Sequence, residues 1–184
     1  TLLSMAPIDQ GRRALLRGDI RNQSSIRHVP WAAPEFADLC RRCDECITAC
    51  EESILIRSDG GFPDIDFARG GCTFCGACAN ACRYGAIKNN GQPAWNLKVT
   101  VAPTCLEAKS ITCRACGEAC ETRAIRFFLR VGGGADLRLD QDICTGCGAC
   151  VAVCPVDAVT IGTASGSGAS APAHKQITQP GGRA

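Results

Sequence analysis

Cys144-Thr145-Gly146-Cys147-Gly148-Ala149-Cys150-Val151-Ala152-Val153-Cys154-Pro155 sets four cysteines at the spacing C-x2-C-x2-C-x3-C and closes with proline. The same spacing recurs at Cys72, Cys75, Cys78 and Cys82, and again at Cys40, Cys43, Cys46 and Cys50. A further group, Cys105, Cys113, Cys116 and Cys120, keeps the C-x2-C-x3-C ending, but seven residues instead of two separate its first two members. These four groups use all 16 cysteines of the 184-residue chain. Three thiols spaced two residues apart lie on one tight loop and can wrap one side of a compact metal centre, with backbone N–H groups turned inward. Small residues inside the loops, Gly76, Ala77, Gly146, Gly148 and Ala149, suit so crowded a backbone and allow positive φ.

This spacing is the ligand run of an iron–sulfur cube, and in two-cluster ferredoxins the fourth cysteine ligates the other cluster. The fourth cysteine is expected to start a helix that points away from its own loop. Four [4Fe-4S] clusters follow, of which the one involving Cys105 rests on the least regular motif. Zinc is the competing reading, because C-x2-C pairs also build zinc ribbons, yet those need two pairs separated by a long loop. Here the loops supply a third cysteine in step; for the stretched group zinc stays open. Cysteines this close along the chain seldom satisfy disulfide geometry.

Sliding the chain against itself exposes a duplication. Cys43, Cys46 and Cys50 return as Cys113, Cys116 and Cys120, and Ala49-Cys50-Glu51 as Ala119-Cys120-Glu121. The run Cys72 to Cys82 returns as Cys144 to Cys154. Between the motifs of each unit lies a hairpin signal. Ile54-Leu55-Ile56 leads through Asp59-Gly60-Gly61 to Ile65-Asp66-Phe67, and residues 124–129 lead through Gly132-Gly133-Gly134 to Leu137-Arg138-Leu139. Each unit closes on a short apolar strand, Gly85-Ala86-Ile87 or Ala158-Val159-Thr160-Ile161, and Lys98-Val99-Thr100-Val101 opens the second.

The fold class is therefore α+β: tandem duplicated two-cluster modules of order β-α-β-β-α-β, loop-rich and stabilised by their clusters, behind a basic N-terminal arm. The expected divisions are an arm with a short helix over 1–34, a first module over 35–90 and a linker over 91–97. A second module over 98–162 and a disordered tail over 163–184 follow. Crossed ligation predicts that Cys40, Cys43 and Cys46 share a cluster with Cys82, and Cys72, Cys75 and Cys78 with Cys50. In the second unit Cys105, Cys113 and Cys116 go with Cys154, and Cys144, Cys147 and Cys150 with Cys120.

The 46% of hydrophobic residues counts the cysteines, and aromatic residues make up only 5%, so the apolar core is small. Twenty basic against 18 acidic side chains give a formal charge of +2, which is no nucleic-acid footprint. No stretch approaches the apolar length of a membrane span. The first ten residues carry no apolar run of the kind a secretory signal needs. Arg12, Arg13, Arg17, Arg21 and Arg27 against Asp9 and Asp19 make residues 1–30 about +3. Asp9 can cap a short helix through Arg12-Arg13-Ala14-Leu15-Leu16-Arg17, stopped by Gly18. The Arg pair is similar to a twin-arginine export motif, but polar residues follow where an apolar region belongs. The arm is either a solvated amphipathic helix or a docking segment whose contacts are Arg12, Arg13 and Arg17.

Trp31 and Trp95 flank the cluster loops and are expected to pack against the modules, while Arg41 and Arg42 balance charge near the first centre or tune it. His28 reads as a surface residue and His174 carries no inferred role. No Gly-rich phosphate loop or Ser/His/Asp set points to independent catalysis, so the chain reads as an electron-transfer protein and not an enzyme.

Arg12 to Gly18, Pro30-Trp31, Cys40-Arg41-Arg42-Cys43-Asp44-Glu45-Cys46, Gly61-Phe62-Pro63, Ala94-Trp95-Asn96-Leu97 and the stretched third group together resemble the NapF family. These are ferredoxin-type accessory proteins of periplasmic nitrate reductase systems. The resemblance covers residues 9–162. It implies a cytoplasmic protein that contacts the precursor of the catalytic molybdenum subunit before export and assists its maturation, with one-electron transfer capacity. A plain electron-transfer ferredoxin, or an electron-transfer subunit of a larger oxidoreductase, is the alternative. The redox donor and the oligomeric state are left open. Each cube with its four thiolates carries about −2, so the loaded protein is expected near −6 despite its formal +2.

Overall fold

The computed structural model describes residues 29–163. The arm helix, Arg12, Arg13, Arg17 and His28 lie outside the described residues, as do residues 164–184 with His174. By contact the chain divides into two compact units. Residues up to 66 together with 76–94 form one; residues 67–75 together with 95 onward form the other.

In the first unit, α1 (Phe36–Leu39) and α2 (Glu45–Thr48) precede a hairpin of β1 (Leu55–Arg57) and β2 (Pro63–Ile65), and α3 (Ala77–Ala81) follows. The strands pair antiparallel, Leu55 opposite Ile65 and Arg57 opposite Pro63. Their turn closes through Ser58 N–H to the Phe62 carbonyl at 2.8 Å and Gly61 N–H to the Ser58 carbonyl at 2.7 Å. The outer pair is reduced to a single antiparallel bridge, Ala32 with Ile87. It is extended by Ala33 N–H to the Ala86 carbonyl and Lys88 N–H to the Trp31 carbonyl. Proline at position 30 can donate no hydrogen bond, so a longer ladder cannot form on that side. Val29, Phe36, Leu55, Ala86 and Ile87 pack around Cys46 and Cys78 to make the core. Trp31 is tied down by its indole N–H to the Gln92 carbonyl at 2.9 Å.

In the second unit, β3 (Leu97–Val101) pairs antiparallel with β6 (Val159–Thr163), and β4 (Ile125–Leu129) with β5 (Ala135–Leu139). A 3-10 turn (Glu107–Lys109) and α4 (Ala115–Glu118) lie between β3 and β4, and α5 (Ala149–Ala152) lies between β5 and β6. The core is Val99, Ile125 and Val159 around Cys116 and Cys150. Residues 67–75 pack here because Phe67 and Phe74 meet the Trp95 ring edge-on, at centroid distances of 6.0 and 5.6 Å. Cys72 N–H also bonds the Cys147 carbonyl at 2.7 Å. By this division Cys72 and Cys75 fall in the second unit and Cys78 and Cys82 in the first.

The tightest backbone approach in the second unit is at Gly146. Its φ is +70°, and a Cβ there would overlap the Leu97 carbonyl. Gly146→Ala is expected to cost about 2–4 kcal/mol, the left-handed penalty plus overpacking against backbone that cannot yield. Gly91 has a similar φ of +79° but open space around it, so Gly91→Ala pays only the first part, about 1–2 kcal/mol. Guanidinium midpoints of the loaded protein, followed by cluster absorbance, compare the two.

Candidate metal centres

Each motif is built on a helix of four or five residues, and the third cysteine is always its second residue: Cys46, Cys78, Cys116 and Cys150. Those four are the buried thiols; Cys43 and Cys75 are exposed and the remainder half-buried. Three of the helices start from a residue in the left-handed region, Asp44, Gly76 or Gly148. That kink turns the loop back on itself and aims the third thiol inward. The stretched motif departs here, since Arg114 has φ −130°.

The fourth cysteine does not start a helix. In every motif the helix precedes it, and Cys50, Cys82, Cys120 and Cys154 donate back to residues 47, 79, 117 and 151 as the helical turn ends. Three residues further on, Ser53, Gly85, Arg123 and Asp157 all have positive φ. A left-handed residue cannot continue a helix, so the chain is sent out toward the next strand, and the fourth thiol sits at the corner.

The corners bring thiols of different motifs together. In the first unit one cavity is lined by Cys40, Cys43 and Cys46 of the first motif and Cys82 of the second, with Phe36, Arg42 and Tyr84 on its walls. Arg42 places its guanidinium 4.2 Å from the centroid of the Phe62 ring. In the second unit Cys116 lies within the field of Cys105, Cys113 and Cys154, and Cys150 within that of Cys147, Cys144 and Cys120 as well as Cys116. Burial, followed by the charges of neighbouring thiols, pushes Cys46 and Cys116 up to about 11 and Cys150 up to about 12. Backbone N–H groups reach sulfur at two loops, Phe74 to Cys72 Sγ at 3.4 Å and Ala158 to Cys154 Sγ at 3.2 Å.

Among the described residues no three His, Cys, Asp or Glu donors converge closely enough for a single metal ion. In the first unit the cavity gathers four thiols, three from one motif and one from another, which is the donor set an iron–sulfur cube takes. One residue at these centres carried no sequence signal. Glu107 is 2% exposed, and its Oε2 accepts the Cys113 N–H at 3.0 Å. It stands two residues after the displaced cysteine, in a stretch with no repeat counterpart. No helix among the described residues is long and apolar enough to cross a membrane.

Residues 39–87 and residues 109–158 each match the 4Fe-4S dicluster domain family. The second match begins after Cys105. The ferredoxin-type protein NapF of Escherichia coli K12 is 42% identical over 155 residues, covering 83% of this chain and 94% of the relative. NapF of Haemophilus influenzae is 38% identical, covering 82% and 92%. Ferredoxin-type protein NapG of H. influenzae is 27% identical, covering 80% and 63%. Two dicluster domains give four [4Fe-4S] clusters, the count that 16 cysteines supply, and proteins of this type carry electrons rather than catalyse reactions. With both units and more than four-fifths of its length matched at 42% identity, the chain belongs to the NapF family of ferredoxin-type proteins.

Proposed function

We propose that the protein assists maturation of the catalytic molybdenum subunit of periplasmic nitrate reductase, acting in the cytoplasm on the precursor before export. The supporting observation is the similarity to NapF across both units together, not to one dicluster domain alone. All 16 cysteines are proposed as ligands. Cys40, Cys43, Cys46 and Cys82 hold one cluster; Cys105, Cys113, Cys116 and Cys154 hold another; Cys144, Cys147, Cys150 and Cys120 hold a third. The repeat assigns Cys72, Cys75, Cys78 and Cys50 to the fourth. Each cluster, when bound, accepts and passes on one electron. The protein's own contribution is to deliver deprotonated thiolates at fixed spacing, exclude water with buried residues such as Phe36 and Ile87, and present backbone N–H groups to sulfur.

Partner recognition is assigned to Arg12, Arg13 and Arg17 of the basic arm. The anaerobically purified loaded protein is expected to retain the leader-bearing precursor of the catalytic subunit on an affinity column. Removal of residues 1–27 should reduce that retention at least tenfold while leaving iron content unchanged. The cut stops there because Val29 is part of the first core. No retention by the full-length protein, with rapid reduction by a soluble reductase, would favour a plain electron-transfer ferredoxin or a subunit of a larger oxidoreductase.

A further inference from the structure

The stretched motif poses a problem of placement. In the other three motifs two residues separate the first and second cysteines, and a left-handed residue just before the helix fixes the second thiol relative to the third. Between Cys105 and Cys113 the chain has seven residues to dispose of, and Arg114 at φ −130° supplies no such kink. A loop of that length closed only by its ends would leave Cys113 free to wander, since the entropy of ordering it must be offset by something local.

The insertion is folded on itself. Ser110 N–H bonds the Glu107 carbonyl at 3.0 Å and Ile111 N–H the Leu106 carbonyl at 2.9 Å, with Ser110 in the left-handed region at the corner. That fold faces the Glu107 side chain inward. Among the described residues Glu107 is the one buried charged side chain, at 2% exposure, on a 3-10 turn that packs against β5. Its Oε2 accepts the Cys113 N–H at 3.0 Å, and its Oε1 is buried with no hydrogen-bond partner. Burying a carboxylate on one such bond is unfavourable unless it does something for the site.

We infer that Glu107 is the positioning residue of the stretched motif: its carboxylate clamps the Cys113 backbone in the place that a short C-x2-C turn fixes elsewhere. The inference rests on the ligand set proposed above for Cys105, Cys113, Cys116 and Cys154. Glutamine can make the same bond from its amide oxygen, whereas alanine cannot.

Glu107→Ala is expected to lose one cluster of four, lowering iron and sulfide by about a quarter. Glu107→Gln retains all four. The clusters of each variant are counted by electron paramagnetic resonance of the anaerobically reduced protein. Cys105→Ser should lose the same cluster, and the double variant Glu107→Ala/Cys105→Ser no more iron than either alone. Full iron in Glu107→Ala beside a loss in Cys105→Ser overturns the role of Glu107 and leaves the ligand set standing. Full iron in Cys105→Ser overturns the ligand set instead. Loss of both second-unit clusters in Glu107→Ala, or equal loss in Glu107→Gln, overturns the positioning role, because the residue would then serve the whole fold or act through its charge.

Discussion

Stripping the four clusters from the protein will unfold it rather than leave an empty scaffold. The second unit's central cluster has three aliphatic side chains, Val99, Ile125 and Val159, around the thiols Cys116 and Cys150, and beyond it the buried apolar residues described are Leu97 and the small Ala124, Ala135 and Ala158. The first is only slightly richer, and it too closes on cysteines, Cys46 and Cys78. The strand pairs of the second unit are two-stranded, and isolated hairpins are marginal in water. Its helices are single turns, far below the length at which a helix holds itself. Burial of thiols is tolerable in the metal-free chain only while they are neutral. Since burial raises Cys46 and Cys116 to about 11 and Cys150 to about 12 from 9.0, the folded state binds their protons more tightly than the unfolded state. The stability this contributes is complete below pH 9 and is lost as pH climbs through 11 to 12. Ligation removes those protons in exchange for iron–sulfur bonds, so cluster binding and folding are one equilibrium. Anaerobic treatment with an oxidant and a chelator at pH 7, followed by circular dichroism, should show loss of the folded signal in step with iron. A metal-free chain that melts cooperatively at pH 7, on the other hand, would sink this account, and any residual structure should vanish first on the alkaline side.

The sequence was most informative where chemistry dictates spacing. The cysteine runs, the duplication and the second hairpin could be read directly, with Gly132-Gly133-Gly134 between its two apolar stretches; in the first hairpin the return strand is Pro63–Ile65, not Ile65-Asp66-Phe67, and Phe67 packs instead against Trp95. The helices were not legible in position, because a four-residue element such as Ala115–Glu118 is too short to show a period. Their placement before the fourth cysteine follows from positive φ at Ser53, Gly85, Arg123 and Asp157, and of these only glycine advertises that conformation. Residues 67–75 fall within the first module by repeat, yet pack with the second unit. That depends on Phe67 and Phe74 meeting Trp95, a contact between residues distant in sequence that no local pattern encodes. Glu107 was invisible for a related reason: a lone glutamate in a charged insertion reads as solvated surface, and only the fold of the loop turns it inward.

Cys120→Ser will disable the cluster of the other motif, not its own. Its own motif, Cys105, Cys113 and Cys116, finds its fourth neighbour in Cys154, whose charge acts on Cys116. Cys120 instead acts on Cys150, beside Cys147 and Cys144. The reason is the corner geometry: the helical turn ends at the fourth cysteine, whose N–H bonds back to Gly117, and Arg123 at φ 55° then redirects the chain. From that corner the Cys120 thiol acts on Cys150 and not on Cys116 of its own motif. Serine is nearly isosteric but a far poorer ligand for iron, so the change tests ligation with little disturbance of packing. Pulsed alkylation of the loaded variant, read by mass spectrometry, should find Cys144, Cys147 and Cys150 modified at least tenfold faster than in the parent. Cys105, Cys113, Cys116 and Cys154 should stay protected. Cys154→Ser should give the mirror pattern, exposing Cys105, Cys113 and Cys116. If Cys120→Ser instead exposed Cys105, Cys113 and Cys116, each motif would hold its own cluster and crossed ligation would be wrong. The distinction matters for electron flow, because a helix shared between two centres holds them at fixed separation, whereas self-contained motifs would leave that separation to the loops.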